Sequence, residues 1–494
     1  MKSYRQASLV EGLFSDKLGM MIAFTAGCVL RAIPEIVAYP YPTGYDVMNY
    51  YIPVLSNFNQ DWGSIRGQFP LYVTMLHSIS ASTGLGAQET VVGAAIVIFG
   101  ALSASLFCVG RSLLGLGSPK SLILAGGVIL QISVLRTTWD LHRDVFALAM
   151  FLFMLCLIPR IDNTRRVRPK ESAGLHLVVL LLILSAIVAG TNRITGFLCC
   201  ITLIMYAMIA KSKAAALASV GAVASFVMFV VLGQNLWIVQ NAADSLGTQP
   251  TGSQMPNQYN PENLAILFLS INGILIIPAI AGYTKMGQSL RLHGDTLGAR
   301  ALCLKIPLVV SAAGSLSWLI FPKAQSLVAD RWIILFGVFV SIFAIYGIIK
   351  VLESLKTNHA TIVGLGIFSY FIATSVAYEV LPYDNPLPLY AATRHYTEHF
   401  SPVTMQFNTI DIKDNSKMIS TIYLINNSTA QNSVIVGPPD WKGFMQLYLH
   451  GNRTYAYSDN PSGLAASLKT SLHRPVYLIA IDTHNSTRFS ISRQ

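Results

Sequence analysis

The chain has 494 residues, of which 53% are hydrophobic and only 12% are charged. Soluble domains carry about 25% charged residues, and one large soluble core does not explain so low a fraction in so long a chain. The net charge of +11 comes largely from basic residues in short loops between apolar blocks, which is typical of membrane topology rather than of a nucleic-acid surface. The composition therefore predicts an integral membrane protein without a nucleic-acid partner.

Eleven apolar blocks approach or reach the roughly 20 residues that cross a bilayer as a helix. Segment 68–84 is also apolar, but it is short and contains Pro70, His77 and five serine or threonine residues. We therefore expect it to be an interfacial helix inside a long outer loop, 37–88. The predicted spans are 18–36, 89–110, 121–136, 144–160, 174–190, 194–210, 214–232, 263–283, 305–321, 331–349 and 359–380.

The distribution of lysine and arginine supports this assignment. With a cytoplasmic N-terminus, the inner segments carry 18 of these residues and the outer loops before residue 380 carry six. This excess follows the positive-inside rule, and counting 68–84 as a span would place the arginine-rich segment 160–172 outside. We therefore expect a multi-pass cell-membrane protein whose C-terminal part is extracytoplasmic. Sequons, which are typical of a secreted face, occur in that part at Asn426, Asn427, Asn452 and Asn485.

Residues 381–494 differ in composition from the membrane part, residues 1–380, because proline, asparagine and threonine rise and no apolar run reaches the length of a span. Short strand and helix patterns alternate there, which predicts a small α/β domain outside the cytoplasm. A structural or acceptor-positioning role is the simplest hypothesis for it. The predicted elements are strand 433–437, helix 440–450, strand 453–458, helix 461–472 and strand 475–481.

Charged residues near the membrane core are costly and by default mark functional sites. The later spans contain almost none in their interiors, and the charged residues gather at the predicted outer ends. The predicted topology brings four such segments to one membrane face. They are 31–50 with Arg31, Glu35 and Asp46; 136–144 with Asp140, His142, Arg143 and Asp144; 191–195 with Arg193; and 330–332 with Arg331.

These segments resemble those of archaeal and bacterial GT-C type membrane glycosyltransferases. That family has many spans, a long first outer loop with interfacial helices and often a C-terminal outer domain. The WWDYG motif of oligosaccharyltransferases is absent, and Asp46 is followed by Val47 rather than by the glutamate of protein O-mannosyltransferases. The resemblance covers most of 20–350 in layout and is carried by RAIPE at 31–35, YPTGYDVMNYY at 41–51, WDLHRDVFAL at 139–148, TNRITG at 191–196 and DRW at 330–332.

The resemblance implies transfer of a hexose or pentose, with inversion, from a polyprenyl-phosphate donor to a glycan, lipid or protein acceptor on the outer face. By resemblance, Asp46 is the catalytic base, and Arg193 and Arg331, with Arg143 as a weaker candidate, bind the donor phosphate. Asp140 or Asp144 would orient the acceptor or hold a divalent metal, Mg or Mn, together with Asp46. Members of the family differ in metal use, so the cofactor stays open.

Each assignment has a structural alternative. Asp46 could do no more than form a turn and cap the following helix. Asp140 and Asp144 flank a helix start, where carboxylates interact favourably with the helix dipole. Arg193 and Arg331 could extend along the apolar surface to the membrane interface.

Two other functions compete with glycosyl transfer. A transporter or lipid flippase would place its binding groups near the membrane midplane in repeated, broken helices, whereas these charges lie at the ends of spans and no internal repeat is evident. A non-catalytic protein whose outer domain binds another envelope protein is the third hypothesis. Glu35 and Asp61 are further carboxylates of the first outer region.

Overall fold

The protein is described by a computed structural model. It covers residues 2–39, 42–44, 46–59, 70–167, 173–232, 261–293, 295–320, 329–380, 412–438, 441–458, 460–472, 474–482 and 485–493. Asp61 lies outside these residues.

The membrane part is a bundle of helices that follow the apolar blocks of the sequence. A short π-helix, π1 (Val47–Tyr51), continues directly into α2 (Ile52–Ser56) in segment 39–86. The other helices are α1 (Lys2–Ala38), α3 (Leu71–Thr83), α4 (Ala87–Ser112), α5 (Ser118–Ile129), α6 (Ile132–Asp140), α7 (His142–Val167), α8 (Ala173–Thr191), α9 (Arg193–Ala210), α10 (Lys213–Leu232), α11 (Pro261–His293), α12 (Asp295–Ser315), α13 (Ser317–Ile320), α14 (Ala329–Leu352) and α15 (Thr357–Val380).

Within the described residues, nine helices are long and apolar enough to cross a membrane. A bent pair, α5 with α6, raises this number to ten if it forms one span, and α8 contains a shorter apolar stretch, His176–Thr191. Each of the eleven predicted blocks forms one or more helices in its described residues. The number of helices that cross the bilayer is nine or ten by length and composition, and the expected number of eleven stays a prediction. The segment predicted to be interfacial is the 13-residue helix α3, which is not among the candidate spans.

The predicted span 121–136 is a broken helix rather than a straight one. Helices α5 and α6 meet at an angle of 67°. At the break, Gln131 has extended backbone angles, and its side-chain amide donates a hydrogen bond to the Gly127 carbonyl at 2.6 Å. A side chain that inserts into the backbone hydrogen-bond ladder is a common cause of a sharp bend. Apolar periodicity alone does not reveal such a bend.

Helix α14 lies at the centre of the bundle and packs closely against α11. A Cβ atom on Gly282 would overlap the Phe343 carbonyl, and one on Gly347 would overlap the Pro278 carbonyl. Small residues of this kind let two membrane helices approach at backbone distance. The close contact fixes α14, whose first turn carries Arg331.

The C-terminal part is a small α/β unit, as the sequence predicts. Its sheet has the strand order β2-β1-β3-β4, in which β1 pairs in parallel with β2 and β3 while β4 is antiparallel to β3. Helix α16 and strand β4 were not predicted, and the domain boundary at 380/381 adjoins residues outside the described ranges and stays a prediction. The elements are α16 (Ile412–Ser428), β1 (Val434–Gly437), α17 (Lys442–Tyr448), β2 (Thr454–Tyr457), α18 (Pro461–Ser471), β3 (Val476–Asp482) and β4 (Asn485–Arg493).

The C-terminal unit packs directly on π1 and α2, in segment 39–86. Helix α17 contacts both π1 and α2. Its buried residues Phe444 and Met445 belong to the same apolar core as Val47 and Tyr51 of π1. The unit therefore covers the segment that immediately follows Asp46.

Candidate functional site

Asp46 lies at the entrance of π1, and its geometry does not fit a simple helix cap. Its backbone is already helical, with φ −64° and ψ −27°, and its carboxylate accepts no capping hydrogen bond from the described residues of π1. The chain turns into this segment at Gly44, where φ is +104°, a conformation that favours glycine. π-helical turns often occur at functional sites, and the half-buried Asp46 carboxylate has no structural task within its own helix.

The two tyrosines of π1 attach this helix to the first turn of α7. The Arg143 guanidinium lies 4.9 Å from the centre of the Tyr50 ring, and the Arg143 backbone N–H donates to the Tyr51 hydroxyl at 3.4 Å. The Tyr51 ring is parallel to the His142 ring at 5.1 Å between centroids. Burial raises the pKa of Tyr51 well above its usual range, and the nearby Asp46 raises it further, so Tyr51 stays a neutral phenol.

Asp144 links this region to α14. One carboxylate oxygen of Asp144 lies 3.8 Å from Arg331 Nη1, and the two side chains are 21% and 26% exposed. Asp144 also interacts electrostatically with Asp46, Arg143 and Arg193. The structure therefore places Asp46, Asp144 and Arg331 on the same side of the bundle.

Arg193 begins α9, directly after its N-cap. The Asn192 side chain accepts hydrogen bonds from the backbone N–H groups of Ile194 and Thr195 at 2.8 and 3.0 Å. One turn into α9, Phe197 makes an edge-on contact with Trp332 of α14 at 6.3 Å between ring centroids. This contact holds the first turns of α9 and α14, and hence Arg193 and Arg331, beside each other.

Three arginines thus come from the first turns of three different helices. Arg193 interacts repulsively with Arg331 and Arg143 and attractively with Asp144 and Asp330. A helix N-terminus carries a partial positive charge, so the dipoles of α7, α9 and α14 add to the positive potential that the guanidinium groups create. An anion between these groups would relieve their repulsion.

Asp140 and Glu35 are two further carboxylates from the sequence analysis. Asp140 is the last residue of α6, but its side chain lies outside the described residues. Glu35 is buried and paired with Arg31 rather than directed into the cluster. No group of three histidine, cysteine, aspartate or glutamate side chains suited to a metal ion occurs within the described part of the chain.

Sequence reasoning missed three contributors to the site. Tyr50 and Tyr51 attach π1 to α7, and Asp330, which is 2% exposed, interacts with Arg193 and Arg331. The signal was present in the motifs MNYY and DRW, but in these two neighbourhoods only Asp46 and Arg331 were given roles. Contacts between distant segments decide these roles, and spacing along one chain does not reveal them.

The helical bundle with its small C-terminal α/β unit matches the GT-C fold. The crystal structure of the apo oligosaccharyltransferase from Archaeoglobus fulgidus is similar, with a TM-score of 0.56 and 10% sequence identity over 94% of this chain and 69% of that chain. ArnT from Cupriavidus metallidurans, in a crystal structure bound to undecaprenyl phosphate, matches with a TM-score of 0.48 and 13% identity over 96% of this chain and 93% of that chain. No family model and no curated protein matches the sequence.

The similarity to the archaeal oligosaccharyltransferase confirms the fold expected from the sequence. At 10% identity, it does not by itself assign a reaction. The reaction must be argued from the residues that this chain brings together.

Proposed function

We propose that this protein is a membrane glycosyltransferase that transfers a hexose or pentose, with inversion, from a polyprenyl-phosphate donor to an acceptor hydroxyl. The observation that carries the proposal is the convergence of three helix-start arginines with two carboxylates, Asp46 and Asp144. The cluster combines a site for a phosphate with a candidate base. A lipid-linked sugar phosphate is a substrate that requires both.

The phosphate would lie between Arg193 and Arg331, with Arg143 as a third contact. Guanidinium groups match phosphate oxygens in a two-pronged geometry and form charge-assisted hydrogen bonds about twice as strong as neutral ones. The positive dipole ends of α9 and α14 add to this potential, which favours phosphate binding. A donor held here has its negative leaving group stabilised before the glycosidic bond breaks.

Asp46 would act as the general base. Its carboxylate takes the proton of the acceptor hydroxyl while the acceptor oxygen forms a bond to the anomeric carbon of the sugar. The bond between that carbon and the phosphate oxygen breaks at the same time, and the electron pair leaves with polyprenyl phosphate. Arg331, which is paired with Asp144, would shift part of its interaction to the charge that develops on the leaving phosphate.

The Asp46→Asn variant tests this proposal. A general base contributes about 10²- to 10⁴-fold to a rate, so we expect sugar transfer to fall by at least roughly 100-fold. The assay supplies membranes with radiolabelled hexose and pentose derivatives of dolichyl and undecaprenyl phosphate, and follows the label into glycan, lipid and protein fractions.

The matched control is Asp16→Asn. Asp16 is 40% exposed and pairs with Arg111 at the opposite end of the bundle, so its loss should leave transfer within twofold of the wild type. Equal transfer by Asp46→Asn and the wild type would remove Asp46 as the base. A wild type that transfers no sugar from any of these donors would contradict the proposed function itself.

A divalent cation, Mg or Mn, is a further proposal for the same carboxylates. Asp46 and Asp144 are close enough to interact electrostatically, and oxygen ligands of this type suit either ion. Asp140 is the alternative to Asp144 as the second ligand beside Asp46. We expect EDTA to abolish transfer and excess Mn or Mg to restore it; full activity in EDTA would mean that Asp46 works as a base without a metal ion.

We also propose that the arginine cluster and the C-terminal unit face the extracytoplasmic side. The exposed sequon at Asn452 offers a direct test in a glycosylating microsomal system. Asn426 is a built-in negative control, because its amide donates to the Tyr448 carbonyl at 2.8 Å and accepts from the His450 N–H at 3.0 Å. We expect Asn452→Gln to remove one glycan and Asn426→Gln to remove none; an unglycosylated wild type would place the unit in the cytoplasm.

A further inference from the structure

A buried ion pair near the end of α1 holds the segment that carries Asp46. Arg31 Nη2 and Glu35 Oε1 are 2.6 Å apart, and the two side chains are 0% and 8% exposed. Glu35 also accepts two hydrogen bonds from Thr43, one from its hydroxyl at 2.6 Å and one from its backbone N–H at 3.3 Å. Both carboxylate oxygens of Glu35 therefore hold Thr43, which lies three residues before Asp46.

The same arginine also holds the helix that leads to Arg143. Arg31 Nε donates to the Thr138 carbonyl at 3.2 Å, while Nη2 is 3.4 Å from the Thr43 hydroxyl oxygen. Thr138 lies in the last turn of α6, where carbonyls have no partner inside the helix. Because α7 follows directly, this bond fixes the backbone just before Arg143 and Asp144.

A charged pair at this position needs a reason. Removing two charges from water costs more than their attraction often returns, and apolar residues of similar size frequently stabilise as well or better. Charged groups inside a membrane segment are retained chiefly where they serve a function. Arg31 and Glu35 differ from apolar residues in what they can hold: a threonine on one segment and a helix carbonyl on another.

We propose that Arg31, Glu35 and Thr43 are positioning residues that hold Asp46 at a fixed distance from Arg143 and Asp144. This inference rests on the proposed function and specifies how its base is set in place.

The connection from Thr43 to Asp46 is short. Gly44, with its positive φ, follows Thr43, and the Gly44 carbonyl accepts the Met48 N–H at 3.3 Å. A shift of Thr43 is therefore passed directly to the start of π1. A misplacement of about 1 Å can cost a reaction roughly 100-fold in rate, so the threonine hydroxyl should matter far more for turnover than for substrate binding.

The test compares Thr43→Val with Thr43→Ser. Valine keeps the volume but loses the hydroxyl that donates to Glu35, whereas serine retains it. We expect Thr43→Val to lower kcat by about 10- to 100-fold while the donor KM and the affinity for undecaprenyl phosphate stay within twofold, and Thr43→Ser to keep at least half of the wild-type kcat. Hydrogen exchange in peptides that span 42–58 should rise in Thr43→Val and not in Thr43→Ser.

Thr374→Val is the matched control. Thr374 is 6% exposed. Among the described residues, its hydroxyl donates only to carbonyls of its own helix, those of Tyr370 and Phe371, at 2.9 and 3.0 Å. A general packing defect would affect both valine variants in the same way. If Thr43→Val and Thr374→Val have the same kcat per folded molecule, the positioning role is wrong.

The two proposals can fail separately. If the wild type transfers no sugar, the proposed function fails, and the exchange measurement still decides whether the three residues hold the Asp46 segment. Unchanged exchange in Thr43→Val would overturn the positioning role even in an active enzyme. Raised exchange with a normal kcat in Thr43→Val would also overturn it, because the hydroxyl would then order the Asp46 segment without any effect on the reaction.

Discussion

Two ion pairs with the same N–O distance of 2.6 Å lie at opposite ends of the bundle. The Arg31 and Glu35 side chains are 0% and 8% exposed, whereas those of Lys120 and Glu353 are 49% and 32% exposed. An exposed pair contributes about 0–1 kcal/mol. A buried pair is expensive to form, and breaking it by removing one partner costs about 3–5 kcal/mol.

The difference shows that a short N–O distance in an ion pair does not by itself identify the end of a membrane protein that carries its functional site. At the Lys120 end, charges lie at the surface and are matched by neighbours, as Lys350 and Glu353 are at 2.9 Å. At the Arg31 end, buried charges connect separate helices, and like charges of Arg193 and Arg331 repel each other. Asp144 and Asp330 offset part of this repulsion, and the proposed phosphate would offset more of it.

The largest expected effect comes from removing the two arginines that are proposed to bind the donor phosphate. In the Arg193→Gln, Arg331→Gln double variant, we expect the affinity for undecaprenyl phosphate to fall by about 10²- to 10⁴-fold, since a hydrogen bond to a charged group contributes about 1.5–3 kcal/mol. Undecaprenyl phosphate is a suitable probe because transfer of any sugar linked to this lipid through a single phosphate would release it. Its binding to the purified protein in nanodiscs can be measured by native mass spectrometry.

The corresponding double variant at the other end is Lys120→Gln, Lys350→Gln. It removes the same amount of charge from the same bundle, so it controls for the overall attraction of a basic protein for an anionic lipid. We expect its affinity to stay within threefold of the wild type. Equal losses in the two double variants would mean that the lipid phosphate binds through general charge rather than at the arginine cluster.

The sequence predicted much of the fold because apolar block length and strand–helix alternation are local properties. The blocks at 89–110 and 331–349 became α4 and α14, and the run 433–437 became β1. The bend between α5 and α6 was not predictable, because it depends on where the Gln131 side chain donates its hydrogen bond. Strand β4 was missed because only Phe489 and Ile491 alternate with polar residues in an otherwise polar run.

The sequence predicted which residues of the candidate site lie near one another, but not what each of them does. The motifs named Asp46, Asp144, Arg193 and Arg331, and the structure brings these four together, whereas their roles in catalysis stay predictions. Glu35 shows the limit of the sequence: it lies in the same region as Asp46, yet its carboxylate is used by Arg31 and Thr43. Only a contact between segments distinguishes a positioning carboxylate from a reacting one.

The smallest expected effect is at Glu353, and it tests whether the Lys120 end is as inert as its exposure suggests. Burial alone would raise the pKa of Glu353, but hydrogen bonds from Lys120 and Lys350 lower it below its ordinary value of 4.5. A carboxylate with a depressed folded-state pKa stabilises the protein above its unfolded-state pKa, and this contribution is lost as the pH falls through the folded-state value.

Glu353→Gln should therefore destabilise the protein by no more than about 1 kcal/mol at neutral pH. The difference from the wild type should vanish at acid pH, below the depressed pKa, in thermal unfolding followed by tryptophan fluorescence. A Glu353→Gln defect of several kcal/mol, or one that persists at acid pH, would mean that both ends of the bundle carry structurally demanding charges, and exposure would then no longer separate them.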